Sequence, residues 1–597
     1  MNKFNKKIFS LFIAACFAVM SFTACSSEIS ADSDGSKTSY DGEIKITLSD
    51  KTITADGKKV GTDSSKAVFL SNDVIYYEDK DFYESGNPYG EGEDKDRHSA
   101  EKANATTVVN ITKPGIYRLS GSLSQGQIRV DLGEDAKEDT DAVVTLVMDN
   151  ADISCEVAPA VLFLNVYECD NEWDTETAQS AVDTTKAGAN VIIADGSVNN
   201  IYGAYVAKIF KDNDEEKKLW KQDGAFYSYM SMNINGESEN TGVLNINAAN
   251  EGLDSELHLT VNGGNINIFA DNDGINTNED GVSVTTINGG NVHIIAGLGE
   301  EGDGIDSNGW LVINGGTVIA SANPAADAGL DSDMGSYING GTVVALGSTM
   351  DWAESDSEQV TMNLQFAGYN ESDCAIIVTK EDGNVVFAYD PSEDEVVGSN
   401  TRRFMGAIIS CPEFATGDSY HVYIGGTVNG SENAGIYDIS TVTGFEDARQ
   451  QAYSGTDVMM RPGGMAGFGG GKGHMDNFDP NNIGEEPEGF DMPDGEKFDP
   501  NQFNPENMPD GTINPERNNG ENFDPNIFGK FPNGIKPPDD FKDKLGIDEK
   551  GNPIGFDGEG QFDFDNGQNV AGNINDKTLF FMQDKVNNFS GVSDYTI

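Results

Sequence analysis

Positive charge is what this sequence has least of. Its 597 residues hold 38 Lys and Arg against 100 Asp and Glu, and from Lys221 to Lys380 no further Lys or Arg intervenes. A formal net charge of −62 excludes nucleic acid and anionic lipid as partners. Carboxylates in such excess repel one another unless cations neutralise part of them, so a divalent metal is the first partner to consider. Most of the acids act simply as a solubilising surface.

Long apolar runs are also scarce. The single one, Ile8 to Met20, is too short for a typical spanning helix, and no second follows. Lys3, Lys6 and Lys7 precede it and Ser21, Phe22, Thr23, Ala24 and Cys25 follow it, which reads as a bacterial lipoprotein signal over residues 1–24 with Cys25 as the lipidated mature N-terminus. Phe22 stands where such signals usually carry Leu, and an ordinary secretory signal is the alternative. Either signal exports the protein; the first anchors it by lipid to the cell membrane, exposed at the bacterial surface. Cysteines are few as well. With Cys16 in the signal and Cys25 lipidated, Cys155, Cys169, Cys374 and Cys411 remain, enough for two disulfides whose pairing the sequence does not fix.

What the chain does have is a repeat. Asn-Gly-Gly begins at Asn262, Asn288, Asn314 and Asn339, a spacing of 26, 26 and 25 residues. A period of this size points to a solenoid. Short β-rich runs follow each copy, such as Asn265-Ile266-Asn267-Ile268 and Thr317-Val318-Ile319-Ala320, and alternating strands precede them, clearest in Leu257 to Val261. Asn and Gly tolerate left-handed backbone, so Asn-Gly-Gly supplies the corner between strands. A third element recurs as Glu251-Gly252-Leu253-Asp254-Ser255, Asp273-Gly274-Ile275-Asn276-Thr277, Asp303-Gly304-Ile305-Asp306-Ser307 and Ala328-Gly329-Leu330-Asp331-Ser332, with fainter copies at Ala225-Phe226-Tyr227-Ser228 and Ala160-Val161-Leu162. The predicted fold class is all-β: a right-handed parallel β-helix over residues 46–374.

Stacking turns this register into chemistry. With coils about 4.8 Å apart, Leu253, Ile275, Ile305 and Leu330 form an apolar ladder inside, and Asp254, Asn276, Asp306 and Asp331 a polar ladder outside. Like charges at that spacing call for a hard cation with oxygen ligands. Calcium fits, with Glu251, Asp273, Asp303 and Asp327 close enough in sequence to add ligands. A merely solvated acidic edge is the plainer alternative.

Outside the repeat, residues 25–45 read as a Ser-, Asp- and Gly-rich tether, and residues 375–460 as a small C-terminal β cap. Residues 461–573, rich in Gly, Pro, Asn and Asp with Phe-Asp-Pro-Asn recurring, read as a long disordered insertion. Residues 574–597 return to an apolar pattern and are expected to supply a terminal strand docking on the folded part.

The segment Lys113-Pro114-Gly115-Ile116-Tyr117-Arg118-Leu119-Ser120-Gly121, the Asp-Gly-Ile-Asp-Ser and Ile-Asn-Gly-Gly repeats, the Gly- and Met-rich insertion and the ending Val586 to Ser593 together resemble the clostridial carbohydrate-binding β-helix lipoproteins. The resemblance spans roughly residues 45 to 597. It implies a right-handed β-helix with calcium, related in shape to polysaccharide lyases and binding cellulose-like glucan and acidic pectic sugars. It also implies calcium ligands at Asp254, Asp273, Asp303 and Asp306. Asn276 and Ala328 depart from a full acidic repeat, so their coils hold metal weakly or not at all.

Two enzyme classes compete with binding. A lyase needs a basic residue beside calcium to take the proton next to the uronate carboxylate, and the coils with the best metal signals lack one, leaving Lys208, Lys211 or Lys113 from a neighbouring coil or loop. An inverting hydrolase needs two carboxyl groups about 6.5 to 9.5 Å apart. Asp303 and Asp306 qualify by position, but positive groups to hold an acidic substrate are missing there. A structural adhesin is the third class. For binding, strand parity places Trp310 level with His258 and Tyr337 level with Thr260 at outward positions, where aromatic faces on adjacent coils stack sugar rings, unless a loop or cap covers them. The expected function is non-catalytic polysaccharide binding, of glucan or polygalacturonate-like sugar, with calcium.

Overall fold

The protein is seen here as a computed structural model, which describes residues 38–78, 92–170, 174–211, 214–348, 351–371, 374–393, 402–456 and 577–595. The signal with Cys25 and the insertion at 461–573 lie outside the described residues. Strand is the dominant regular element of what is described, beside two 3-10 turns, Asp94–Asp96 and Glu134–Glu138, and one short α-helix, Ala100–Ala105, whose first turn is capped by Ser99 Oγ accepting from Lys102 N at 3.2 Å.

Two long parallel ladders follow from the repeat. Ala189–Ile193, Met232–Gly236, Leu259–Val261, Val284–Ile287, Trp310–Ile313 and Gly335–Ile338 pair in turn. So do Val198–Gly203, Val243–Ala248, Asn265–Ala270, Asn291–Ile295, Thr317–Ser321 and Thr342–Gly347. Alternation decides the facing: in Val243–Ala248 the residues Leu244, Ile246 and Ala248 are buried and the intervening ones partly exposed. Between the two ladders, the second glycine of each Asn-Gly-Gly takes the left-handed backbone, with φ of +94° at Gly264, +86° at Gly290, +83° at Gly316 and +88° at Gly341. Neither the asparagine nor the first glycine shares that conformation.

A separate seven-stranded sheet carries the acidic motif. In it Val161–Asn165, Gly224–Ser228, Glu251–Ser255 and Ile275–Thr277 pair in parallel, and single bridges extend the line from Ile275 to Ile305 and from Ile305 to Leu330. Leu253, Ile275, Ile305 and Leu330 are all fully buried, as the stacking argument expects.

The expectation of a right-handed parallel β-helix is corrected by the rest of the pairing. The largest sheet has 27 strands and is mixed. Near its start, Ile44–Leu48 is parallel to Gly115–Leu123 but antiparallel to Thr54–Ala55. The next strand, Lys58–Lys59, returns across Asp56-Gly57, both at positive φ, a two-residue turn that only an antiparallel hairpin uses. Further on, Thr342–Gly347 and Thr361–Asn370 both pair antiparallel with Phe404–Ser410. Val586–Asp594 then lies parallel to Thr361–Asn370 and antiparallel to Arg449–Ala452. The class all-β stands; the architecture is one of large mixed sheets. Among the described residues no disulfide joins Cys155, Cys169, Cys374 and Cys411, so neither of the two bridges that their number allows is formed.

Candidate functional site

The acidic face is assembled where the strands Gly224–Ser228, Glu251–Ser255 and Ile275–Thr277 lie side by side. Register puts Tyr227, Asp254 and Asn276 in one row, on the opposite side of the strands from the apolar row Phe226, Leu253 and Ile275. Asp254 is fully buried, and Glu251, Asp273 and Asn276 nearly so, which an exposed acidic edge would not be.

At the centre, Asp223, Glu251 and Asp254 each bring a carboxylate oxygen within 4.8 Å of the other two. Asn278 Nδ2 donates to Asp254 Oδ1 at 2.7 Å, and Asn276 Nδ2 to Glu251 Oε1 at 3.1 Å. Lys221 Nζ lies 2.6 Å from Asp223 Oδ2 and donates to Asn278 Oδ1 at 2.7 Å. Tyr227 donates its hydroxyl to Glu256 at the edge. Three buried oxygens are left without a hydrogen-bond partner among the described residues: Glu251 Oε2, Asp254 Oδ2 and Asn276 Oδ1.

The other acids continue the face by a different device. Asp273 Oδ1 accepts from Asp303 N at 2.7 Å and Asp303 Oδ1 from Ala328 N at 2.5 Å, so each acid at the start of a motif caps the backbone of the next copy. Asp327 Oδ2 accepts from Gly302 N at 2.9 Å. Asp306 and Asp331 are half-buried beyond them.

Electrostatics show how strained this arrangement is. Burial first, then Glu251, holds the Asp254 carboxyl well above the usual carboxylate range, with Lys221 pulling the other way. Burial and then Glu251, Asp306 and Asp303 do the same to Asp273, and burial and then Asp331 to Asp303. Asp306 is pushed up to about 7 by burial, Asp331 and Glu251. Not all of these groups can be ionised together unless a cation joins them. The donor set is oxygen only, as calcium prefers, and the unpartnered Glu251 Oε2, Asp254 Oδ2 and Asn276 Oδ1 are what such an ion would satisfy. The residues therefore fit a hard divalent cation.

Of the eight ligands expected from sequence, Glu251 and Asp254 belong to the three-carboxylate group, Asn276 is bonded to it, and Asp273, Asp303 and Asp306 are coupled through repulsion. Asp327 is engaged with backbone, and Asp331 acts on Asp303 and Asp306 as a neighbouring charge. Sequence reasoning missed Asp223, Lys221 and Asn278. Asp223-Gly224 repeats the start of Asp273-Gly274, which is the signal that was available; Lys221 comes from the charged arm before it.

The aromatic pair needs correction. Register does place Trp310 level with Val284 and Tyr337 level with Val312. Trp310, however, is only 9% exposed, packed with Val284, Val312, Ala178 and Val182. The segment carrying Ala178 and Val182 lies over it, so no open stacking face results. Beside this segment is a cavity of about 130 Å³ lined among others by Asp170, Thr177, Gln179 and His258. His258 Nδ1 accepts from Val284 N at 3.1 Å, which places the ring proton on Nε2, 3.3 Å from Asp170 Oδ2. Tyr337 stays half-buried at the edge of the same cluster.

Residues 105–391 match the family described as Carbohydrate-binding domain-containing protein, as the sequence resemblance anticipates. A relative bearing the same description, from Acetivibrio thermocellus, is 28% identical over 182 residues, 30% of this chain and 51% of the relative. The chain thus spans about half the length of that curated relative. Among solved structures, a gadolinium derivative of a polysaccharide lyase-like protein from C. thermocellum is similar at 23% identity, covering 50% of this chain and 92% of that one, with a TM-score of 0.29.

Proposed function

We propose, from the match of residues 105–391 to the family described as Carbohydrate-binding domain-containing protein, that this protein is exported, binds polysaccharide through a calcium-dependent acidic face and does not cleave it. The observation that carries the reading is the convergence of the Asp223, Glu251 and Asp254 carboxylates within 4.8 Å of one another, in a place where Glu251 Oε2 and Asp254 Oδ2 are buried without a hydrogen-bond partner among the described residues. A divalent ion held there supplies positive charge to an otherwise negative surface, which lets it bridge to the carboxylates of an acidic sugar. Neutral sugar is left to the cavity lined by Asp170, Thr177, Gln179 and His258.

The lyase reading gains one observation, because Lys221 supplies the basic residue that the repeats lack. Its state argues against that role. Burial pulls the ammonium down, but Glu251, Asp254, Glu256 and Asp273 outweigh it and hold Lys221 above the ordinary lysine value, which favours the protonated form and disfavours a role as base.

Calcium is expected to raise the Tm of the wild type, by an amount set by about 2.7 kcal/mol per site at a hundredfold excess over Kd. In Glu251→Gln combined with Asp254→Asn that rise should vanish, and retention on insoluble pectate should fall to the level seen with chelator. An unchanged Tm on adding calcium would sink the cation reading. Release of unsaturated ends by the pure protein would sink the binding-only reading.

A further inference from the structure

We infer that Lys221 is a tethered competitor for the cation site, an ammonium built into the chain that a divalent ion must displace before it can occupy Asp223, Glu251 and Asp254. The inference rests on the cation reading above and concerns what sets the affinity of that site. Lys221 Nζ sits 2.6 Å from Asp223 Oδ2, one of the three carboxylates that converge, and 2.7 Å from Asn278 Oδ1. Asn278 in turn donates to Asp254 Oδ1, so the ammonium is one residue removed from a second member of the group. A divalent ion drawing Asp223 into its ligand shell would meet a like charge on the same carboxylate, and the two cations repel.

The anchoring of Lys221 fits an exchange of this kind. Its backbone is fixed, because the Tyr229 hydroxyl accepts from Lys221 N at 3.1 Å and donates to Lys221 O at 3.0 Å. The side chain is not sealed in, for it keeps 29% of its exposure. A flexible four-carbon stem can therefore swing its still-protonated head to water while the strand stays in place. From residue 222 to residue 379 the chain offers no other Lys or Arg to take the vacated position. The consequence is a threshold: the site loads only at cation concentrations high enough to displace an internal rival, and Lys221 sets that level.

Calcium titrations by calorimetry on the full chain test this. Lys221→Met and Lys221→Gln are both expected to bind calcium at least tenfold more tightly than wild type, whereas Lys221→Arg, which keeps the charge, should stay within a few fold of it. Circular dichroism checks that each variant is folded, and two neutral replacements guard against a defect peculiar to one. Equal or weaker affinity in both neutral variants, with binding still abolished by Glu251→Gln and Asp254→Asn together, would overturn the competitor role and leave the cation site standing. Absence of calcium binding at these residues in wild type and neutral variants alike would remove the site itself, and the competitor with it.

Discussion

At the scale of single residues, His293 shows how a repeat position can change its chemistry. Asn200 donates to Asp152, Asn245 to Asn200 and Asn267 to Asn245, a row of side-chain bonds at 2.6 to 2.9 Å, and the next place in register is His293. Its ring is buried, Nδ1 has no partner among the described residues, and burial lowers its pKa to about 4. The unfolded chain takes up a proton below about 6.5 that the folded one refuses, so the stability held above that pH is lost as pH falls toward 4. The loss is at most about 3 kcal/mol. Asp306 titrates in the opposite sense, its folded value of about 7 costing stability as pH rises from about 4. Taking the difference between wild type and His293→Asn isolates the histidine. In urea melts the variant should gain on wild type by up to about 3 kcal/mol between pH 7 and pH 4, and a gap that does not change with pH would refute the assignment. The acids of the motif were legible because they recur in register. Lys221 and Asn278 were not, since each enters the site from outside the repeated five residues and only the fold brings it there.

At the scale of elements, the glycine inside each acidic motif is fixed by its neighbours. Gly252 N donates to Asp273 O, Gly274 N to Asp303 O and Gly304 N to Ala328 O, and the backbones approach so closely that a side chain has nowhere to go. A Cβ on Gly274 would lie 2.1 Å from Ile294 Cγ2 and 2.6 Å from Gly304 O. One of these contacts is backbone, which cannot turn aside. Gly274→Ala is therefore expected to destabilise by about 1 to 3 kcal/mol. Gly57, with open space around it, provides a comparison in which only the cost of its left-handed φ is felt. Equal melting of Gly274→Ala and wild type would show that the sheet yields more than the geometry allows. The direction of the side chains was readable in advance, because Asp-Gly-hydrophobe-Asp recurs in register, whereas the close approach at its glycine is seen only in the fold. The stacking face expected of Trp310 was not, because the segment that covers it comes from more than a hundred residues earlier and carries no periodic signal.

At the scale of the whole molecule, alternation and period report on pairing between successive repeats and are silent about distant partners. Within residues 189–347 the ladders run as the spacing implies. Which way Phe404–Ser410 would run against Thr342–Gly347, or where Val586–Asp594 would pair, is settled by side-chain fit between segments far apart, and there the expected architecture gave way to mixed sheets. One feature spans much of the repeat region. Asn262 donates its side-chain amide to Asn235, Asn288 to Asn262, Asn314 to Asn288 and Asn339 to Asn314, each at 2.9 or 3.0 Å and all in the same direction. All five of these asparagines precede glycine, the neighbour that least hinders attack of the following backbone nitrogen on the side-chain carbonyl, the reaction by which proteins age to aspartate. Here the fold restrains it: the side-chain amides are held by their row, and the nitrogens of Gly315 and Gly340 are engaged with Ile287 O and Ile313 O at 3.3 Å. Mass spectrometry after incubation at mildly alkaline pH should find the five sites intact in the folded protein and converted in urea, and equal conversion in both would deny the protection. A single conversion would replace a donor by a carboxylate facing the preceding carbonyl oxygen, so the row records the time a molecule has spent unfolded.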